Sequence, residues 1–277
     1  MSPVTYSRIL LVILALWVVV GSADPAQDRS ETREYFKQLF PQLTLQEYAD
    51  GAYALDPIAR SQWLEIEDFP PYEWAVENGK HLFHTPFKGG GRYTDCFPQP
   101  INKIRAQYPR VSVEGEVITL ELALNQCRQK FQQPMLDYRR GEMAALSAYL
   151  AYLSRGEMLE MKTPSSEGEM KSYTAGKQFY YQRRGQLNFS CASCHVQSAG
   201  KRLRADMLSP MLGQVTHFPV YSGVWHEMGT LHRRFIGCLE QIRAPVFHAQ
   251  SEQLRALEYY LSFMSSGIKL NGPAYRK

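Results

Sequence analysis

Five residues of this 277-residue chain, Cys191-Ala192-Ser193-Cys194-His195, have the types and spacing to attach a redox cofactor. Two thiols three positions apart can each add across a vinyl group of haem, and the adjacent histidine then lies under the iron as an axial ligand. C-x-x-C-H is rare by chance, so covalent haem c is the leading reading. Two structural thiols beside an unrelated histidine are the alternative. A structural zinc would need a second ligand pair at matching spacing, and the sequence has none.

An iron ligated by His195 has a second face open to a ligand. The stretch His226-Glu227-Met228-Gly229-Thr230-Leu231-His232-Arg233-Arg234-Phe235-Ile236-Gly237-Cys238 holds a thiol and two arginines. Arg234 and Cys238 are four apart, so a helix puts them on one face. A guanidinium beside a thiol favours the thiolate. Its forked donors would also hold an oxyanion such as sulfate or thiosulfate. Arg233 is a secondary candidate for that task, and Gly237 leaves room for a flat macrocycle. Three ligand types stay open on residues alone: Cys238, a methionine (Met207, Met211 or Met228), or a histidine (His217, His226 or His232).

The elements that must position these groups come twice. Gly79-Lys80-His81-Leu82-Phe83 resembles Gly176-Lys177-Gln178-Phe179-Tyr180. From Thr119 onward the matches share one offset of 111 positions: Thr119 with Thr230, Leu120 with Leu231, Cys127 with Cys238, Pro134 with Pro245, Leu146 with Leu257, Tyr149 with Tyr260, Leu150 with Leu261 and Gly156 with Gly267. Eight matches at a constant offset indicate two related domains, 62–157 and 158–277, with a linker near Lys162–Ser166. Each half ends in an amphipathic helix. Met143, Leu146, Tyr149, Leu150 and Leu153 form one stripe, closed by Gly156. Leu254, Leu257, Tyr260, Leu261 and Met264 form the other, closed by Gly267. The second should pack on a helix over Glu169–Arg183, ahead of the attachment motif. No alternating strand pattern of any length competes. The expected fold is all-α, two tandem cytochrome c-like domains, with an N-terminal arm over 24–61 carrying short helices at Arg33–Phe40 and near Leu45–Tyr48.

Only the second half has C-x-x-C-H. The first has Asp95-Cys96-Phe97 near the same place, with no histidine following, and should hold no haem. There Cys96 and Cys127 occupy positions close to haem attachment and distal ligation. A disulfide between them would close the vacated pocket, the alternative being two free thiols. The five cysteines are then assigned: two to haem, two to the bridge, and Cys238 left over. The haem-less copy has Leu122-Ala123 where the other has Arg233-Arg234, so the arginines accompany the haem.

Residues 1–23 read as a secretory leader: Arg8, then an apolar run from Ile9 to Val20, then Gly21-Ser22-Ala23 before Asp24. Twelve apolar residues are short for a bilayer span, and no later stretch is a candidate. Without that leader, 30 basic side chains face 27 acidic ones, a net charge of about +3, too small to indicate nucleic acid or a membrane surface.

Taken together, the leader, the tandem halves, C-A-S-C-H at 191–195 and R-R-F-I-G-C at 233–238 resemble the SoxA family, the catalytic cytochrome subunits of thiosulfate-oxidising Sox systems. The resemblance spans the mature chain. Many members carry two haems; this chain lacks the first motif and so resembles the single-haem branch. The resemblance implies a periplasmic L-cysteine S-thiosulfotransferase with one haem c attached to Cys191 and Cys194 and ligated by His195 and Cys238. It implies that Cys238 can carry an extra sulfur as a persulfide and that Arg234 holds thiosulfate. It further implies a small cytochrome c partner, SoxX, a sulfur-carrier protein, SoxYZ, and a cytochrome c electron acceptor. The rival expectations are a plain electron-transfer cytochrome with His/Met ligation and no sulfur chemistry, and a scaffolding cytochrome subunit.

Overall fold

The computed structural model describes residues 24–97 and 100–277, so the expected leader at 1–23 lies outside the described residues. Two acid–proline pairs start the chain's first helices. Asp24 accepts from the amides of Ala26 and Gln27 and caps α1 (Pro25–Leu39). Asp56 accepts from the Ala59 amide and caps α2 (Pro57–Asp68). A proline at the first helical position loses nothing, because that amide has no intrahelical partner. A 3-10 segment, Gln46–Ala54, joins them. The arm is therefore more helical than expected, and α2 runs through the boundary expected between residues 61 and 62.

The two halves follow. The first contains α3 (Glu73–His84), α4 (Leu120–Lys130) and α5 (Glu142–Leu153). The second contains α6 (Glu167–Tyr181), α7 (Cys191–His195), α8 (Leu231–Gln241) and α9 (Glu252–Met264). Ser166 and Glu169 form a reciprocal capping box on α6, and Thr119 caps α4. In the first half α3 crosses α5; in the second α6 crosses α9. Both crossings are closed by glycine. A Cβ on Gly79 would lie 2.0 Å from the Ala145 carbonyl oxygen, and one on Gly176 would lie 2.1 Å from that of Ala256. Ala145 and Ala256 are themselves 111 apart, so the repeat read in the sequence is also a repeat of backbone packing.

The halves meet reciprocally. The Gly156 amide donates to the Leu270 carbonyl at 2.8 Å, and the Gly267 amide to the Leu159 carbonyl at 2.7 Å. Each residue has the other's counterpart as partner, as in an isologous interface. Two apolar cores result, one around α3 and α5, the other around α6 and α9. Phe36 and Tyr48 of the N-terminal segment belong to the second. The arm is thus a wall of the half that carries the attachment motif. α5 is buried almost all round rather than along a stripe, from Met143 to Ala151.

Short strands interrupt the helical pattern. β1 (Arg110–Val111) pairs with β2 (Val117–Ile118), and β3 (Arg202–Leu203) with β4 (Asp206–Met207). β5 (Val220–Ser222) lies between antiparallel β6 (Glu227–Gly229) and parallel β7 (Ala274–Arg276). Strands of two or three residues are too short for alternation to reveal them. The fold is mostly helical, as expected, but β5, β6 and β7 matter for the site.

In the first half Cys96 and Cys127 form a disulfide. Aromatic side chains fill the space beside it: Phe83 stacks on Tyr93 at 5.7 Å, and Phe87 contacts Tyr93 at 4.9 Å and Phe131 at 5.6 Å. Both thiols of this half are consumed and its core is occupied by side chains. With its ends 31 positions apart in sequence, the bridge contributes about 3–4 kcal/mol on the chain-entropy account. The double variant Cys96→Ser with Cys127→Ser is expected to lower the unfolding midpoint by roughly 10 °C. Differential scanning calorimetry of both proteins measures this, and an unchanged midpoint would show the bridge to be dispensable.

Candidate haem and sulfur site

α7 is a short helix fixed at its start. Ser190 and Ser193 exchange hydrogen bonds, each hydroxyl accepting from the other's amide at 3.1 Å. This single turn holds Cys191, Cys194 and His195 in order. His195 Nδ1 lies 2.8 Å from the Ser209 carbonyl oxygen and donates to it. That bond places the imidazole proton on Nδ1 and leaves Nε2 as the free lone pair. Burial holds the ring's pKa below its ordinary value, which keeps it neutral.

α8 carries Arg234 and Cys238 one turn apart. The three free thiols lie near enough to one another for their charges to interact. Cys238 influences the Cys191 thiol and Cys194 influences the Cys238 thiol, while burial pushes Cys191 up to about 12. The Cys238 thiol is also raised, chiefly by burial, with Arg234 pulling the other way. Arg234 favours the thiolate, as expected, but in the bare polypeptide desolvation outweighs the neighbouring charge. Burial correspondingly lowers Arg234, and the Cys238 sulfur raises it.

These residues fit a covalent haem. His195 offers an oriented nitrogen, and Cys191 and Cys194 sit on the same turn. A Cβ built on Gly237, in the middle of α8, meets nothing within 4 Å. Gly79 and Gly176, at the helix crossings, are jammed against backbone, whereas this glycine inside α8 has open space beside Cys238. Alanine is the better helix former by about 1 kcal/mol, so a merely structural Gly237 would be improved by Gly237→Ala. The expected result is instead reduced haem incorporation and an altered Soret spectrum. A raised unfolding midpoint with an unchanged spectrum would show that the space serves no macrocycle.

Several rival ligands are engaged elsewhere. His232 Nδ1 accepts from the Gln250 amide at 2.9 Å, and its Nε2 lies 3.1 Å from Glu258 Oε2. His217 Nδ1 lies 3.3 Å from the Ala49 carbonyl oxygen, to which it donates. Met228 packs in the core of the first half. Met211 is fully buried in the second core, Met207 lies on β4, and His226 is in the β5–β6 connection with a left-handed backbone. Arg233 is paired with Glu227 at 3.0 Å, and its guanidinium carbon lies 4.3 Å from the Trp225 ring centre. Arg234 lies over the same ring at 4.6 Å. Trp225 escaped the sequence reading, since nothing in its local pattern marks it. Ser209, which orients His195, had no signal either.

The family model for the SoxA/TsdA cytochrome c domain matches residues 78–159 and 175–270. The chain is 47% identical over 260 residues to the L-cysteine S-thiosulfotransferase subunit SoxA of Allochromatium vinosum, covering 93% of this chain and 92% of that protein. It is 46% identical to the protein of the same name from Chlorobaculum tepidum, covering 88% and 85%. Among solved structures it resembles SoxXA from P. pantotrophus with a TM-score of 0.71 and 29% identity, over 78% of this chain and 84% of that one. Tandem cytochrome c domains, a thiol-bearing α8 and near-complete alignment with these relatives place the chain in the SoxA family.

Proposed function

We propose that the chain is the catalytic subunit of a periplasmic L-cysteine S-thiosulfotransferase, joining thiosulfate oxidatively to a cysteine of a sulfur-carrier protein. The single observation that carries this is Arg234 and Cys238 one turn apart on α8, near Cys191, Cys194 and His195. The names of the relatives agree with it.

Thiosulfate and a thiolate are both nucleophiles and both anions, so joining them needs two electrons removed and a positive field. Arg234 supplies the field and orients the sulfonate end, with Arg233 in support. The Cys238 sulfur takes the sulfane sulfur: Cys–S⁻ + S₂O₃²⁻ gives Cys–S–S–SO₃⁻ and two electrons. The carrier thiolate then attacks the sulfane sulfur and displaces the Cys238 thiolate, which gives carrier–S–S–SO₃⁻ and restores the site. Cys191, Cys194, His195 and Cys238 would hold haem c, and the haem would supply a one-electron exit. The second electron requires another c-type cytochrome. We assign that role to a SoxX-type small cytochrome paired with this chain, with SoxYZ as the carrier; the similar solved structure is of SoxXA.

One haem is assigned per chain. The half within 62–157 has its thiols in the Cys96–Cys127 bridge, and the half within 158–277 has the attachment motif. Among the described residues no helix is long and apolar enough to cross a membrane. Export to the periplasm is inferred from the leader at 1–23, the disulfide and the attachment motif. Carrier-dependent thiosulfate oxidation by the purified complex, with cytochrome c reduction as readout, tests the proposal. Electron transfer to cytochrome c without any thiosulfate adduct on the carrier, seen by intact mass, would support the plain electron-transfer reading instead.

A further inference from the structure

The basic cluster beside Cys238 is larger than the Arg233-Arg234 pair. The sheet β6–β5–β7 brings its other members. Arg276 on β7 is registered against Ser222 on β5, and the Gly223 amide donates to the Arg276 carbonyl at 2.9 Å. Trp225 follows two residues later, and its indole lies across Gly229, where a Cβ would be 2.3 Å from the ring. Arg234 rests on that indole and its Nη2 donates to the Lys277 carbonyl at 3.4 Å. Arg234 therefore ends one residue from Arg276.

Arg276 is held by neutral groups. Its guanidinium carbon is 5.1 Å from the ring centres of both Tyr53 and Trp63, which stack on each other. Nη1 donates to the Tyr275 carbonyl at 2.8 Å and Nη2 to the Ala49 carbonyl at 3.4 Å. Among the described residues neither Arg234 nor Arg276 has an aspartate or glutamate carboxylate within 4.0 Å, whereas Arg233 has Glu227. The acids that act on Arg276 from further away are already used. Asp50 pairs with Arg60 at 2.7 Å, and Glu67 accepts from the Trp63 indole, the Tyr72 hydroxyl and the Tyr275 amide. Burial brings Arg276 down to about 10, with the Arg234 charge adding to the effect. Both side chains keep some open surface. Two desolvated like charges side by side are unfavourable until an anion joins them.

We infer that Arg276 and Arg234 together form a receptor for an oxyanion, in which Arg276 is a second positioning residue for the sulfonate end of the substrate. The substrate half of this inference rests on the proposed thiosulfate chemistry. The haem's own carboxylates are the other source of the same chemistry. Arg276 lies beyond the residues matched by the family model, and single-sequence spacing gives no hint of it.

The test uses the haem-loaded complex with Arg276→Met and Arg276→Lys. For each, KM and kcat for thiosulfate are measured in the carrier-dependent assay, with inhibition by sulfate as an inert probe and the haem midpoint potential. With substrate as the anion, Arg276→Met raises KM and the sulfate inhibition constant about tenfold, with kcat within about twofold and the potential unchanged. Arg276→Lys recovers part of the loss, since it keeps charge without the fork. A shifted potential with unchanged KM and sulfate inhibition supports the receptor and assigns its anion to the haem carboxylates. Variants with normal haem content and unfolding midpoint in which none of the three quantities moves overturn the inference. Absence of thiosulfate turnover in the unmodified complex would instead defeat the functional reading, leaving the potential to report on the receptor.

Discussion

Cys238→Ala is expected to abolish carrier-dependent thiosulfate oxidation while leaving haem covalently attached. The proposed attachment is to Cys191 and Cys194, which α7 holds through the Ser190–Ser193 exchange. The reaction depends on a sulfur that accepts and releases the sulfane group, and alanine offers none. Losing a nucleophile that forms the covalent intermediate costs on the order of a thousandfold in kcat or more. Steady-state assays beside a haem stain of the denatured protein separate the two consequences. Turnover near the unmodified level, with haem attached, would remove Cys238 from the chemistry. Cys238→Ser sharpens the result, since it keeps size and polarity without a sulfur able to exchange.

Gly176→Ala is expected to be strongly damaging to the half that carries the attachment motif. The added Cβ would lie 2.1 Å from the Ala256 oxygen and 2.6 Å from the Tyr260 Cβ. Backbone cannot rotate away as a flexible side chain can, so α6 and α9 must separate along their whole crossing. Overpacking typically costs 1–3 kcal/mol, and a clash with backbone lies at or above roughly the top of that range. Because α6 leads into the attachment turn, haem loading should fall with stability. Gly79→Ala meets the same obstacle, the Ala145 oxygen at 2.0 Å, in the half that has the disulfide instead. It is expected to lower the unfolding midpoint while the folded fraction keeps a normal haem spectrum. Haem-to-protein ratio and calorimetry on both variants decide the matter. Normal loading and midpoint in Gly176→Ala would mean that the crossing is looser than described.

Much of this was legible because the chain carries its own comparison. The offset of 111 exposed the two related halves and pointed to the disulfide in the half without the motif, the crossing of α9 on α6 was expected from their apolar stripes, and four-residue spacing put Arg234 with Cys238 on one helix. The expected helix at Arg33–Phe40 is the second half of α1, while its start at Asp24-Pro25 and the whole of α2 from Asp56-Pro57 have polar faces that give no apolar periodicity. The raised Cys238 thiol was not legible. Spacing of four residues reveals a neighbouring charge but says nothing about how deeply both groups are desolvated. Arg276 and Trp225 join the site through β5, β6 and β7, and the pairing of β5 with β7 links residues about fifty apart in sequence. Such contacts are made by tertiary structure and leave no local pattern.

The central claim is that the haem axis runs from His195 to Cys238. Optical and electron paramagnetic resonance spectra of the oxidised protein, recorded for the unmodified chain and for Cys238→Met, test it most directly. The account expects a low-spin, sulfur-ligated ferric signal in the unmodified chain and no methionine–iron charge-transfer band, with that band gained in Cys238→Met. A methionine–iron band already present in the unmodified protein, unchanged by the substitution, would contradict it.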